Sequence, residues 1–263
     1  MNFFEAIILG IVQGLTEFLP VSSSGHLELG KHFFGINPEA NFYFSVAVHG
    51  ATVLSTILVF RKDILSLFQG LFRFTFNDET KYTVRLVISM IPVGIAGIYT
   101  KEITDYFFDG NMVSLGVQFL ITAAIIGLTL FLKPKDRPIS YLDSFIIGIA
   151  QAIAVIPAVS RSGATIATGM MLGNKRADLA KFSFLMVLVP VVGANMLEAM
   201  SGDFSSEGTQ ISVIIAGFIA AFVSGYFACK WMINLVKKGN LGWFSVYCIL
   251  LGILSILLGL HVI

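Results

Sequence analysis

Glu17, Ser23, His26 and Arg161 are the residues whose types and surroundings could do chemistry in this chain. Glu17 stands two residues from the end of an apolar run, with Gln13 one turn earlier on the same helix face. Arg161 sits between Ser160 and Ser162 in a second apolar region. An ionisable side chain at membrane depth costs about 2.5 kcal/mol or more, so both charges point to function. The structural alternative is a Glu17–Arg161 ion pair that pins two parts of the fold together. A pin, however, needs neither a histidine nor a cluster of hydroxyls.

That chemistry suits an anion. Ser22 and Ser160 are good helix N-caps, and Gly25 and Gly163 allow close packing. A helix N-terminus presents unpaired N–H groups and the positive end of a dipole. Two such termini with Arg161 as a planar fork suit a phosphate better than a cation or a neutral solute. The candidate substrate-binding groups are Ser22, Ser24, Ser160, Ser162, Gln13 and Thr165, the last one turn into the second helix. Glu17 would repel the anion unless it binds a bridging Mg²⁺ or Ca²⁺, or works as a base. Both ions prefer oxygen ligands, and Mg²⁺ commonly joins carboxylates to substrate phosphates. His49, inside an apolar run, reads equally as a packed histidine or a site residue. His32 and His261 are expected at the interface, and Glu198 and Arg85 near span ends, where long side chains reach headgroups.

The elements that carry these residues come as a repeat. Gly10-Ile11-Val12-Gln13 leads to Val21-Ser22-Ser23-Ser24-Gly25, and 138 residues later Gly148-Ile149-Ala150-Gln151 leads to Val159-Ser160-Arg161-Ser162-Gly163. Seven of the sixteen aligned positions are identical. Pro20 and Pro157 interrupt the apolar run just before each serine turn, which argues against a continuous spanning helix. Non-helical backbone at membrane depth is tolerated only where it lines a cavity or is buried in protein. Each copy, 1–36 and 141–173, therefore reads as a re-entrant helix-turn-helix. The plainer alternative is a pair of tilted helices joined by a surface loop.

Composition supports a membrane setting. The chain has 263 residues, 56% hydrophobic and 13% charged, with a mean hydropathy of +0.85. Soluble domains carry roughly 25% charged residues. Apolar stretches at 43–60, 83–99, 111–132, 182–200, 211–229 and 241–262 approach the ~20 residues that cross a bilayer. A net charge of +1 is silent about nucleic acid, and none is expected as a partner. Cys229 and Cys248 lie in apolar runs and read as packed or lipid-facing residues, with no disulfide framework. No basic residue precedes Lys31, so the first apolar run reads as mature structure.

Basic residues give the topology. Segments 61–82, 133–140, 174–181 and 230–240 hold thirteen Lys and Arg, whereas 31–42, 101–110 and 201–210 hold only Lys31 and Lys101. By the positive-inside rule the first four are cytoplasmic and both termini lie outside. The expected fold is thus an all-α integral membrane protein with an inverted-topology repeat. The first repeat is 1–132 and the second 133–263, each a re-entrant hairpin plus three transmembrane helices, forming one functional unit. Three is odd, so the halves are inverted and their serine turns meet near the bilayer middle.

Two long motifs are similar to those of the undecaprenyl-diphosphate phosphatase family, the bacitracin-resistance type of integral membrane phosphatase. They are Gln13-Gly14-Leu15-Thr16-Glu17-Phe18-Leu19-Pro20-Val21-Ser22-Ser23-Ser24-Gly25-His26 and Pro157-Ala158-Val159-Ser160-Arg161-Ser162-Gly163-Ala164-Thr165, with Lys181-Phe182-Ser183-Phe184-Leu185 as a weaker third. The resemblance covers nearly the whole chain. It implies removal of the terminal phosphate of a C55 polyprenyl diphosphate, which recycles the lipid carrier of cell-wall precursors. It also implies a divalent cation (Mg²⁺ or Ca²⁺) and a bacterial inner-membrane location with the site open to the outer face. Gln13 stands where many members carry a first glutamate, which leaves Glu17 to hold the metal with water, the Gln13 oxygen and substrate. Ala158 stands where a glycine often follows the proline, which bears on turn geometry.

The expected mechanism places the diphosphate between the turns, with Glu17, Ser23, His26 and Arg161 as the catalytic set. The attacking group is Ser23, a water, or His26 itself. Beyond the lipid substrate and the membrane, a homodimer is left open as a partner. The rival class is a lipid-carrier transporter or flippase using the same midplane anion site. Glu17 and His26 on one turn favour the enzyme. An ion channel fits poorly, since no ring of repeated charges is present.

Overall fold

The structure, a computed structural model, describes residues 1–36, 42–98, 111–132, 135–201, 210–239 and 241–262. Among these residues there are eleven α-helices and no strand. The first hairpin is α1 (Phe3–Phe18) and α2 (Ser23–Phe34). It is followed by α3 (Phe42–Val59), α4 (Arg61–Leu71), α5 (Asp78–Ile98) and α6 (Met112–Leu128). The second hairpin is α7 (Tyr141–Ile153) and α8 (Arg161–Met171), followed by α9 (Arg176–Ser201), α10 (Ile211–Lys238) and α11 (Gly242–Gly259). Five helices are long and apolar enough to cross a bilayer, α5, α6, α9, α10 and α11, and α3 with α4 makes a sixth if that bent pair is one span. The all-α membrane class expected from the sequence holds.

Local chemistry explains the boundaries. Asn2 caps α1 and Ser140 caps α7, each closing a capping box with the acid three residues on, Glu5 and Asp143. These pairs too are 138 residues apart, so the repeat reaches further back than the identical motif. The apolar runs underestimate the helices. Asp78 to Tyr82 precede the expected start of α5, Arg176 to Lys181 precede that of α9, and α10 runs on to Lys238. Charged residues with good helical propensity carry the helix past the apolar slab into the headgroup layer. Segment 61–82, the basic segment expected to connect the spans 43–60 and 83–99, holds α4 and the first turn of α5. Lys31, assigned to a connection, lies in α2, buried and bonded to Glu28 at 2.8 Å. Lys101 and Lys133 fall outside the described residues.

Helices meet through small residues. A Cβ on Gly10 would come within 2.3 Å of the Gly217 carbonyl oxygen, and one on Gly14 within 2.4 Å of that of Ala221. In lipid, helix association rests on such close backbone approach because burial of apolar surface contributes little. Gly148 of α7 meets Ser89 of α5 in the same way, at 2.3 Å, and Gly116 of α6 meets Gly252 of α11 at 2.6 Å. The partners are exchanged between halves: α1 packs on α10 as α7 packs on α5, and α3 packs on α10 as α9 packs on α5.

Two ends of the bundle can be told apart. At one, Lys181 bonds Asp63, the Arg137 backbone pairs with Gly173 and Lys175, and Arg176 lies against Gly239. All four basic segments are represented there. Helix α7 starts at this end, where Arg137 bonds Asp143 at 2.7 Å. Helix α1 starts at the other, where Met1, Phe34 and Ile36 pack with Val213 at the start of α10. It then runs beside α10 until Phe18 lies against Gly225, halfway along that 28-residue helix. The tip of the first hairpin therefore lies beside the middle of α10.

Candidate active site

Each hairpin turns the same way. Ser22 Oγ accepts from Gly25 N at 3.2 Å and Ser160 Oγ accepts from Gly163 N at 3.1 Å, so both serines cap the helix that follows. The first amides of α2 and α8 are left facing the turn. The turns also bond to each other. Ser24 Oγ accepts from Ala158 N at 3.1 Å, and Ser162 Oγ donates to the Leu19 carbonyl at 3.2 Å. Within the two turns, Ser22 at φ 70 and Ala158 at φ 58 are in the left-handed region without being glycine. Such conformations cost about 1–3 kcal/mol and persist where surrounding contacts over-determine them.

Glu17 is the hub. Its Oε2 accepts from Ser23 Oγ at 2.6 Å and from Gln13 Nε2 at 2.9 Å, while Oε1 accepts from Arg161 Nη2 at 2.9 Å. Ser23 and Arg161 occupy equivalent repeat positions, each the first residue of its helix. The two copies thus deliver a hydroxyl and a guanidinium to one carboxylate from the same backbone position. His49 Nε2 lies 4.0 Å from Glu17 Oε2, and its Nδ1 donates to the Ser45 carbonyl at 2.8 Å. Of the two readings open for His49, the geometry puts it at the site's edge.

A crevice of about 490 Å³, counting its open mouth, adjoins the hub between α3 and α9. Glu17, Arg161, Ser162, Thr165 and Gln151 form its polar wall, and Val53, Val187, Leu188 and Val191 form an apolar one. Thr165 Oγ1 is 2.6 Å from Ser183 Oγ, which also lines the crevice. Polar and apolar walls side by side suit an amphiphile whose charged head stops at Glu17 and Arg161. Among the described residues no group of three or more His, Cys, Asp or Glu could hold a metal by itself. Gln13 Oε1 and Gln151 Oε1 are nevertheless buried without a hydrogen-bond partner. Two orphan oxygens near one carboxylate are the kind of donors an oxygen-seeking cation takes.

The expected site residues are not all together. Gln13, Glu17, Ser23 and Arg161 meet at the hub, with Ser162 and Thr165 beside it. Ser22, Ser24 and Ser160 serve the turns through the bonds given above. His26 faces elsewhere: Nδ1 donates to the Ser22 carbonyl at 2.6 Å and Nε2 is 2.8 Å from the Tyr247 hydroxyl. Its ring stacks on Tyr247 and meets the Phe119 ring edge-on. Because a carbonyl only accepts, Nδ1 carries the proton, and in the neutral ring Nε2 accepts from Tyr247. Sequence reasoning missed Tyr247 altogether. One tyrosine in an apolar span gives no periodic or motif signal. Ser183 had a signal in the short third motif but no assigned role.

The chain is similar to known proteins over nearly its whole length. Residues 6–254 match the family described as Bacitracin resistance protein BacA. An undecaprenyl-diphosphatase of Parabacteroides distasonis is 51% identical over 97% of this chain and 98% of its own. One of Bacteroides fragilis is 49% identical over 97% and 98%, and one of Oceanobacillus iheyensis is 36% identical over 98% and 99%. With five to six candidate spans and bacterial relatives, this is a multi-pass protein of a bacterial membrane. A match over residues 6–254, with relatives about half identical over nearly the full length, places the chain in the Bacitracin resistance protein BacA family.

Proposed function

We propose that this chain hydrolyses undecaprenyl diphosphate to undecaprenyl phosphate and inorganic phosphate. The carrying observation is Glu17, which takes a 2.6 Å hydrogen bond from Ser23 and a 2.9 Å one from Arg161. Relatives named undecaprenyl-diphosphatase at about half identity support the substrate, and translocation without hydrolysis is not favoured.

In this reading the terminal phosphate sits against Arg161 and the first amides of α2 and α8, with Ser162 and Thr165 on its crevice side. Helix N-termini and a guanidinium stabilise the charge that builds on the phosphoryl oxygens. Glu17 takes the Ser23 proton as Ser23 Oγ attacks the terminal phosphorus. The bond to the bridging oxygen breaks, and undecaprenyl phosphate leaves. Glu17 passes its proton to the departing phosphate oxygen and, again a carboxylate, takes a proton from the water that attacks the phosphoserine. The bond to Ser23 Oγ breaks, Glu17 returns that proton to Ser23, and inorganic phosphate is released. Little covalent chemistry is asked of the protein beyond placement and charge. Tyr247 holds the His26 ring, and His26 Nδ1 donates to the Ser22 carbonyl, which fixes the strained turn that aims Ser23. Glu17 and Gln13 Oε1 would hold a Mg²⁺ or Ca²⁺, whose charge offsets that of the diphosphate.

Two finer points belong to the same proposal. The halves 1–132 and 133–263 form an inverted repeat, supported by α1 and α7 starting at opposite ends of the bundle. The basic end is cytoplasmic, and the site of this inner-membrane protein opens to the outer face. The test is phosphate release from a polyprenyl diphosphate by purified protein in detergent, where no transmembrane gradient exists. Cation-dependent release is expected, abolished by chelation and restored by Mg²⁺ or Ca²⁺. Binding without release would return the transporter reading.

A further inference from the structure

Helix α4 and the turn after it are not used by the site. Helix α3 is about 27 Å long, close to the ~30 Å hydrocarbon thickness. Helix α4 bends away from it by 71°. It therefore departs nearly parallel to the membrane plane, at the basic end where Asp63 bonds Lys181. Its residues fall in three stripes. Phe60, Ile64 and Leu67 pack on the core. Leu65, Phe68 and Phe72 repeat at helical spacing on a second stripe and are exposed. Lys62, Ser66, Gln69 and Arg73 form a third stripe, also exposed.

Beyond the helix Phe74 is in the left-handed region at φ 52 with its side chain 90% exposed, and Phe76 is 67% exposed. A bulky residue there is uncommon and costly. The Phe74 ring stands away from the protein. Asp63 is paired with Lys181 and Asp78 with Lys81, so Arg61, Lys62 and Arg73 outnumber Glu79, which lies against Gly70, and leave this surface positive. An apolar stripe flanked by a basic one, on a helix lying across the bundle end, matches an interfacial helix with its apolar face sunk at the headgroup boundary.

We propose that α4 and residues 72–76 form a foot in the membrane surface at the basic end, with phenyl rings in the upper acyl chains and Arg61, Lys62 and Arg73 gathering anionic lipid headgroups. The assignment does not depend on the phosphatase reading. Charge complementarity selects the lipid: basic side chains close to an anionic leaflet are drawn to it, and salt weakens the attraction.

The test uses full-length protein in mixed phosphatidylcholine–phosphatidylglycerol vesicles. Phe68→Trp or Phe74→Trp is introduced after Trp231→Phe and Trp243→Phe. Bromines high on the acyl chains should quench the new tryptophan more than bromines placed deep. At equal bromine depth, brominated phosphatidylglycerol should quench at least about two-fold more than brominated phosphatidylcholine. The preference should vanish in the Arg61→Gln, Lys62→Gln, Arg73→Gln variant and in high salt. A nitroxide on Leu65→Cys, with both native tryptophans kept, gives the depth independently. Overturning results are a tryptophan or nitroxide open to aqueous quenchers, deep burial of α4 as part of a span, or protection only when a second copy is present. Equal quenching by both lipids overturns the headgroup assignment.

Discussion

The two serine turns share a scaffold and differ in charge. Both cap their second helix through the serine hydroxyl at 3.1–3.2 Å, and in both the flanking serines stand 3.4 Å apart. Yet Ser23 and Glu17 of the first copy correspond to Arg161 and Val155 of the second. Strain is distributed differently as well: the positive φ is at the cap itself in the first turn, at Ser22, and two residues before the cap in the second, at Ala158. The difference teaches a division of labour. The repeated turn supplies matching amides and serine hydroxyls, and single positions give one copy a carboxylate with its bonded hydroxyl and the other a guanidinium.

Removing the charge of the first turn should cost most. Glu17→Gln takes away the acceptor of Ser23 and the partner of Arg161, so phosphate release should fall about 10³-fold. Circular dichroism and monodisperse elution should show the fold retained; activity near wild type would end the division of labour. The second turn's contribution is tested by Arg161→Lys. An ammonium keeps the charge but not the planar fork, so kcat should fall roughly 10²-fold. Unchanged turnover would mean that Arg161 only pins the turns.

Smaller effects sharpen the comparison. Tyr247→Phe keeps the stacked ring and removes the hydroxyl that bonds His26, a support present only behind the first turn. Activity should drop about 3- to 10-fold, as expected for one hydrogen bond, with KM nearly constant. A change in the ¹⁵N shifts of the His26 ring should accompany it, and a mere packing role would leave that spectrum alone. Ala158→Gly should relieve the second turn, because the left-handed region costs a residue with a Cβ about 1–2 kcal/mol. Greater freedom of the unfolded chain offsets about half of this. Thermal unfolding should rise by roughly 1–3 °C with activity preserved. A loss of stability would show that the Ala158 methyl, fully buried, matters more than the strain.

Much of this was legible from residue order, for reasons that differ by element. Apolar runs located the spans because lipid exposure demands them, and Pro20, Pro157 and the serines marked both turns because few other residues break and restart a helix there. The meeting of Glu17 and Arg161 followed from charge in an apolar chain. Helix α4 was not legible as a span, since eleven residues opening on Arg61, Lys62 and Asp63 are too short and too polar to cross a bilayer, although its faces are distinctly amphipathic. The direction of His26 was not legible either. A ring between two backbone turns takes its orientation from tertiary neighbours, Tyr247 and Phe119, that lie far along the chain.

The glycine seam between α1 and α10 also fixes where the pocket can adapt. A methyl at Gly14 would overlap Ser224 Oγ at 2.1 Å and the Ala221 oxygen at 2.4 Å, so backbone there meets backbone with no room to yield. An inhibitor extended from the Glu17 pole toward that seam collides with a wall that no rotamer can move. Extended toward Val53, Val187 and Val191, it meets side chains that exchange readily, so tolerance of bulkier ligands, and escape from them by point substitution, should both arise on the α3–α9 flank.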